Sequence, residues 1–281
     1  MIKLKRTSFQ SSFAGALVAS FFLCSSPAVA APVADPDYQV KLRLSEQAVD
    51  ANGEPSAHFR QNFEVLSEGG TEESVYFDTA DGFYSENGWS IRLRLKDGNS
   101  EYDLTYKYRQ PLTYNSLSKE VVEDGLRDAK NKGFDSSDTN YEAQVNASYV
   151  SSSLDFSNKK SAVCVSAQCE IPSVDQAVPI VIDAEPGKMR KTTGRELSGS
   201  DLKMSQTVSQ KSWRVEIGGI KTDLEVATFG GTTWVEISEE DTSRKDASRK
   251  RDTLVKELDR AGLLVKEDAF KTPVVLSLGW Q

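Results

Sequence analysis

Across residues 76–109 the chain alternates apolar and polar positions in two consecutive runs, and in both the polar face is basic. In IRLRLK, Ile91, Leu93 and Leu95 fall on one side of an extended strand, and Arg92, Arg94 and Lys96 fall on the other. In EYDLTYKYR, Asp103, Thr105, Lys107 and Arg109 share a face, and the intervening Asp97-Gly98 is a hairpin signal. Neighbouring strands that present like charges on one face repel unless something anionic lies between them. A polyanion-binding sheet is therefore the first expectation, against the ordinary alternative of a solvated strand face.

The same reading extends along the chain. Residues 38–44 (YQVKLRL) alternate as a strand, and residues 50–55 carry an Asn-Gly turn. Residues 59–66 are weakly amphipathic and end at a Gly69-Gly70 break, residues 73–77 form a short strand, and residues 78–88 are turn-rich. Another strand is expected over 117–123 and a helix within 140–154. The apolar run PIVIDA follows, and residues 194–206 read as a loop. KSWRVEIGG, TDLEVATF and TTWVEIS make a second block of strands. Residues 249–261 place Leu254, Leu258 and Ala261 at helical spacing before Gly262, and residues 270–278 form a last extended piece. With no internal repeat, the expected fold is α+β, mainly antiparallel β.

The first thirty residues change the picture of compartment. Lys3, Lys5 and Arg6 precede an apolar stretch over 13–23, and Ala28-Val29-Ala30 is a small-x-small cleavage pattern. A cleavable export signal over 1–30 and a secreted or periplasmic chain starting at Ala31 are expected. The apolar stretch is too short to span a bilayer, so no stable membrane insertion is expected after cleavage. Three positive charges leave with the signal, taking the formal net charge from −8 to −11. That balance argues against nucleic acid as a partner and makes the concentrated basic faces more notable. Cys164 and Cys169, the two cysteines left, read as a small disulfide loop in an oxidising compartment. His58 has no sequence partner, and Trp89, Trp213 and Trp234 read as packing residues within strands.

The ordered set Tyr76-x-Asp78-Thr79, Asn87-Gly88, Ile91-Arg92-x-Arg94 and Leu104-Thr105-x-Lys107 resembles the core signature of the CYTH domain, the triphosphate tunnel metalloenzymes. TTWVEISEE, with a helix after it, resembles the family's late Glu-Ile-Glu strand. The resemblance implies an eight-stranded tunnel barrel with flanking helices, formed by residues 31–281 as one domain with an insertion around 125–190. It also implies a triphosphate-containing substrate with Mg²⁺ or Mn²⁺. By position, Arg92, Arg94, Lys107 and Arg109 would grip phosphate, with Arg214 as a further candidate. Glu236 is the leading metal candidate, and Glu120, Asp223 and Glu216 are acids that could join it. Lys271 reads as a surface lysine or as an echo of a late family lysine.

The family's opening Glu-x-Glu-x-Lys is here Gln39-Val40-Lys41-Leu42-Arg43, and the late Glu-Ile-Glu is Glu236-Ile237-Ser238. The phosphate-gripping residues are kept while metal-holding acids are lost, and Mg²⁺ needs charged oxygen ligands to offset its dehydration. This favours an exported protein that binds a phosphorylated or polyanionic small molecule. The rivals are a divalent-metal-dependent triphosphate phosphohydrolase, with Mg²⁺ or Mn²⁺ as cofactor, and a non-catalytic cell-envelope interaction protein.

Overall fold

The computed structural model describes residues 32–113, 117–166, 168–268 and 270–281. The expected export signal over 1–30 lies outside the described residues. Among the described residues there are ten strands: β1 (Asp37–Leu44), β2 (Glu64–Thr79), β3 (Trp89–Lys96), β4 (Glu101–Pro111), β5 (Glu142–Ala147), β6 (Ser152–Val163), β7 (Leu202–Met204), β8 (Val208–Ile217), β9 (Ile220–Phe229) and β10 (Thr232–Asp241). Among the described residues seven α-helices accompany them: α1 (Ala57–Asn62), α2 (Phe83–Glu86), α3 (Lys119–Asn131), α4 (Val174–Asp183), α5 (Gly187–Thr193), α6 (Arg244–Arg260) and α7 (Lys271–Ser277).

Pairing runs β3-β4-β6-β5-β1-β10-β9-β8-β2 and returns from β2 to β3, so nine strands close a ring, with β7 added to one end of β2. Every pairing is antiparallel except β1 with the short β5. Closing the sheet removes the exposed edges that an open sheet of this width would present. The chain thus has the expected mainly antiparallel, tunnel-like architecture, with nine strands in the ring where eight were expected because the short β5 is inserted between β6 and β1.

The strands' alternation decides which side is dry. Val40, Leu42 and Leu44 of β1, Ile91 and Leu93 of β3 and Leu104 and Tyr106 of β4 are buried in one apolar core with Leu254 and Leu258 of α6 and Val178 and Val181 of α4. The core therefore lies between the outer faces of the strands and the helices, and the polar faces are left to line the ring's interior. Among the described residues no helix is long and apolar enough to cross a membrane.

Four elements differ from the sequence reading. Strand β2 runs through Gly69-Gly70 without a break, because register shifts between Val65 and Ser67 and between Glu68 and Thr71 take up extra residues as bulges. A Cβ at Gly69 would stand 2.4 Å from Ser212 Oγ and 2.9 Å from its carbonyl oxygen, so the bulge needs glycine. Residues 117–123 enter a helix, not a strand: Ser118 caps α3 by accepting from the Val121 amide. The region 140–154 holds β5 and the start of β6 in place of a helix. The extended piece expected over 270–278 is α7, whose β-branched residues favour a strand locally. Tertiary packing overrides that preference, since Val275 is fully buried against Tyr76, Val208, Phe229 and Trp234. The Cys164–Cys169 disulfide is present, with Cα atoms 5.2 Å apart. His58 docks through Nε2 on the Ala261 carbonyl oxygen at 2.9 Å.

Candidate functional site: a charged tunnel

The ring encloses a cavity of about 970 Å³. Strand parity aims Lys41 and Arg43 of β1, Arg92 and Arg94 of β3, Lys107 and Arg109 of β4, Arg214 of β8, Asp223 and Glu225 of β9 and Glu236 and Ser238 of β10 into it. Register aligns β3 with β4: Arg92 faces Thr105 and Ser90 faces Lys107 across the strands. Gly88 keeps the β3 entrance tight, because its carbonyl oxygen accepts from the Arg109 amide at 2.7 Å. At φ +78° a Cβ there would also lie 2.9 Å from the Arg109 carbonyl oxygen.

The cations divide into neutralised and open ones. Arg94 donates to Glu72 at 3.2 Å and to Asp103 at 2.9 Å, and Arg214 donates to Asp223 at 2.9 Å. Arg109 grips Asp155 with Nε 3.0 Å from Oδ1 and an Nη 2.7 Å from Oδ2. Lys107 reaches the same carboxylate at 3.4 Å. Asp155 is 0% exposed, so one buried anion is shared by two cations. Arg92 makes no ion pair among the described residues: its one partner is Thr105 Oγ1 at 3.5 Å, and its Nε is buried without a hydrogen bond. Burial, together with the nearby charges of Arg109, Arg92 and Lys41, pushes Lys107 down to about 8, although Asp155 pulls the other way. Burial alone would raise the Asp155 carboxyl, but Arg109 and Lys107 hold it below the usual carboxylate range.

Across the cavity, Lys41 Nζ lies 3.0 Å from Glu236 Oε1 and 3.4 Å from Glu225 Oε2. Lys271, from the first turn of α7, stands 3.6 Å from Glu236, and Trp234 Nε1 donates to Glu236 Oε2 at 2.9 Å. Against the raising effect of burial, Lys41 and Lys271 hold the Glu236 carboxyl well below the ordinary range. Glu225 is raised by burial, and the neighbouring Glu236 adds to this while Lys41 opposes it. Arg43 lies over the Trp234 ring, 4.4 Å from its centroid. Trp234, Phe229, Val208, Tyr76 and Val275 form an apolar cluster where α7 packs against these strands.

All five residues proposed from sequence for phosphate line the cavity, as do Glu236 and Asp223. Glu120 does not: it sits exposed in the first turn of α3, because the segment expected to be a strand is a helix. Glu216, near the end of β8, is also outside the cavity lining. Lys271 is not a surface lysine, since its side chain is only 15% exposed and turns into the cavity. Sequence reasoning missed Asp155, Glu225 and Glu72. Asp155 carried a usable signal: in SSLDFSNKK, Ser153, Asp155, Ser157 and Lys159 alternate with Leu154 and Phe156, which is a strand pattern.

A closed antiparallel ring with charged side chains turned inward defines a tunnel protein of the polar-interior kind. The CYTH domain profile matches residues 40–272, and the chain belongs to that family. No curated protein matches it. Among solved structures, it is similar at 18% identity to a candidate adenylyl cyclase from Hippeastrum described as having a dominant triphosphatase activity (TM-score 0.47, 86% of this chain and 99% of that one). It is similar at 13% identity to a candidate adenylate cyclase from Bacillus halodurans (TM-score 0.46, 85% and 97%). Another from Vibrio parahaemolyticus matches at 13% identity (TM-score 0.41, 86% and 99%).

CYTH proteins bind phosphate-containing small molecules and are typically metal-dependent. The donor set here does not fit a hard divalent ion. Among the described residues, no group of three or more His, Cys, Asp and Glu side chains is placed to hold a metal. The two carboxylates that come together, Glu225 and Glu236, share the Lys41 ammonium, and Asp223 is committed to Arg214.

Proposed function

We propose that this chain is an exported CYTH protein that captures a phosphorylated or polyanionic small molecule in its tunnel and is not a working hydrolase. The observation that carries this is the gathering of Arg92, Lys107 and Arg109 in one cavity, where Lys107 and Arg109 share the single carboxylate of Asp155 and Arg92 has no ion pair among the described residues. An excess of cations in a half-buried cleft is unfavourable by itself and favourable around an anion. Guanidinium and ammonium donors aimed into one cavity suit phosphoryl oxygens, the first as a planar fork and the second as a point charge.

Titration of the mature chain, residues 31–281, with tripolyphosphate in a calorimeter tests the capture, while released orthophosphate is followed in the same buffer. Saturable binding without phosphate release is expected. Arg92→Ala should weaken binding at least about tenfold, since a hydrogen bond to a charged group is worth roughly 1.5–3 kcal/mol. It should leave the unfolding midpoint close to wild type, because no ion pair is lost. Turnover that requires Mg²⁺ or Mn²⁺ would establish the hydrolase instead. Absence of any response to anions would leave the envelope interaction role.

Export is supported by the basic, apolar and Ala-x-Ala succession in residues 1–30. Expression of the full chain in a secretion-competent bacterial host should give a processed product beginning at Ala31. A cytoplasmic product that keeps Met1 would refute export.

A further inference from the structure

We propose that the Lys41 ammonium is the tunnel's built-in counter-cation, standing where a divalent ion would otherwise balance the carboxylates, so that anion capture by this chain is independent of metal. The inference rests on the anion-capture reading above and adds how the cavity's acidic wall is neutralised.

The register makes a cation obligatory at this place. Glu236 of β10 is directly opposite Glu225 of β9, and both side chains point into the cavity. Like charges directly across a strand pair are destabilising, and burial sharpens the repulsion. Something positive must lie between them. Lys41 provides it from the neighbouring strand β1, with Nζ 3.0 Å from one carboxylate and 3.4 Å from the other. A covalently attached ammonium cannot leave the site as a bound metal ion can, so it is present at any metal concentration.

The surrounding positions are consistent with this. Beside Lys41 on β1, the neutral Gln39 donates through Nε2 to Ser238 Oγ at 2.9 Å and to Glu240 Oε1 at 3.3 Å, so neither β1 position 39 nor β10 position 238 brings a carboxylate of its own. Lys271 adds a second ammonium 3.6 Å from Glu236. These two carboxylates and two ammoniums are formally neutral as a group, with no charge left over among them to draw a divalent ion out of water. Lys41 also lies close enough to Lys107 to act on it electrostatically. Its charge is therefore felt by whatever occupies the centre of the tunnel. An entering divalent ion would have to displace an ammonium already held by two charge-assisted hydrogen bonds.

Two measurements on the wild-type mature chain test the proposal without relying on any variant's folding. Tripolyphosphate should bind in EDTA with no metal present, and Mg²⁺ should not raise its affinity, any loss in Mg²⁺ matching the share of tripolyphosphate that the ion complexes in solution. Mn²⁺ added alone should keep the paramagnetic resonance spectrum of the free ion. Binding that appears only with Mg²⁺, or a spectrum broadened by bound Mn²⁺, would overturn the inference while leaving the capture reading intact. Failure to bind tripolyphosphate under either condition would sink the capture reading, and the inference with it. Lys41→Glu places a third carboxylate beside Glu225 and Glu236. That variant should bind Mn²⁺ and should require metal for tripolyphosphate. Lys41→Gln should lose affinity in EDTA without gaining Mn²⁺. If Lys41→Glu folds with a wild-type circular dichroism spectrum yet ignores Mn²⁺, the proposed site for the cation is wrong.

Discussion

Asp155→Asn is expected to destabilise the protein by about 3–5 kcal/mol, the usual consequence of removing one partner from a buried ion pair. Asp155 is fully buried and receives the forked donors of Arg109 and the ammonium of Lys107. The amide cannot compensate either charge, and the two cations left behind share the cavity with Arg92. Urea unfolding of wild type and variant checks the value, and the slope with denaturant should not change. The pH dependence gives a second readout. Because the folded Asp155 carboxyl is held below its usual range, its contribution is complete above the unfolded carboxylate value. That contribution is lost as pH falls through the folded value. Wild type should therefore lose stability on acidification through a limb that Asp155→Asn lacks. Tripolyphosphate should raise the variant's melting temperature more than that of wild type, because the bound anion restores the missing negative charge. A variant that unfolds at the wild-type urea concentration would show that Asp155 does not hold the tunnel together.

The strands that proved easiest to read were those with one dry face. Alternation in residues 91–96 and 103–109 located β3 and β4 and predicted which side chains would share a face. What period two does not tell is which side of a sheet is outside. Here the apolar side packs outward on helices, so a face that resembles a solvated surface lines a cavity. Closure of the ring depends on the β2–β3 pairing, a contact between strands that sequence can place only as hairpin neighbours. The misread elements have local causes. The strand signal at 140–154 is short and is interrupted by the turn at 148–151, which favours a helical reading. The segment 270–278 has strand-like propensity, and its helix is selected by the burial of Val275 in a cluster no local window contains.

The site was legible to the same extent. Its basic residues occur in runs and are visible as a pattern, whereas its acids occur singly. Glu225, Glu236 and Asp155 come from three separate strands and meet the cations only through closure of the ring. The substitution of Lys41 into the opening motif was visible as the loss of an acid. That its ammonium lands between the two carboxylates follows from β1 pairing with β10 and from β10 pairing with β9, which is tertiary information. Family likeness put residues on strands, and side-chain geometry then distinguished the cations already neutralised from those that are open.

Tripolyphosphate affinity should fall as pH rises above about 8, and Lys107→Arg should abolish most of that fall. Burial lowers Lys107 from the ordinary lysine value of 10.5 to about 8, and the charges of Arg109, Arg92 and Lys41 reinforce the shift against the pull of Asp155. An anion in the tunnel favours the charged form, so in the bound state the ammonium keeps its proton to higher pH. Binding then requires a proton that the free protein has released. The free protein's protonated fraction drops about tenfold for each pH unit above 8, and affinity drops with it until the bound-state value is reached. Between pH 7 and pH 9.5 the expected loss is about thirtyfold for a bound-state value near that of an ordinary lysine. The sign for folding is opposite. Without an anion, the depressed Lys107 destabilises the charged folded state at neutral pH, and its contribution to stability rises as pH climbs from about 8 towards 10.5. Arginine keeps its charge across the whole interval, so Lys107→Arg should bind with a nearly flat profile, and any titration of the probe itself is common to both proteins. Lys107→Met should bind weakly at every pH. Calorimetric titrations at pH 7.0, 8.0, 9.0 and 9.5 would decide the matter. Parallel pH profiles for wild type and Lys107→Arg would mean that Lys107 does not face the bound anion.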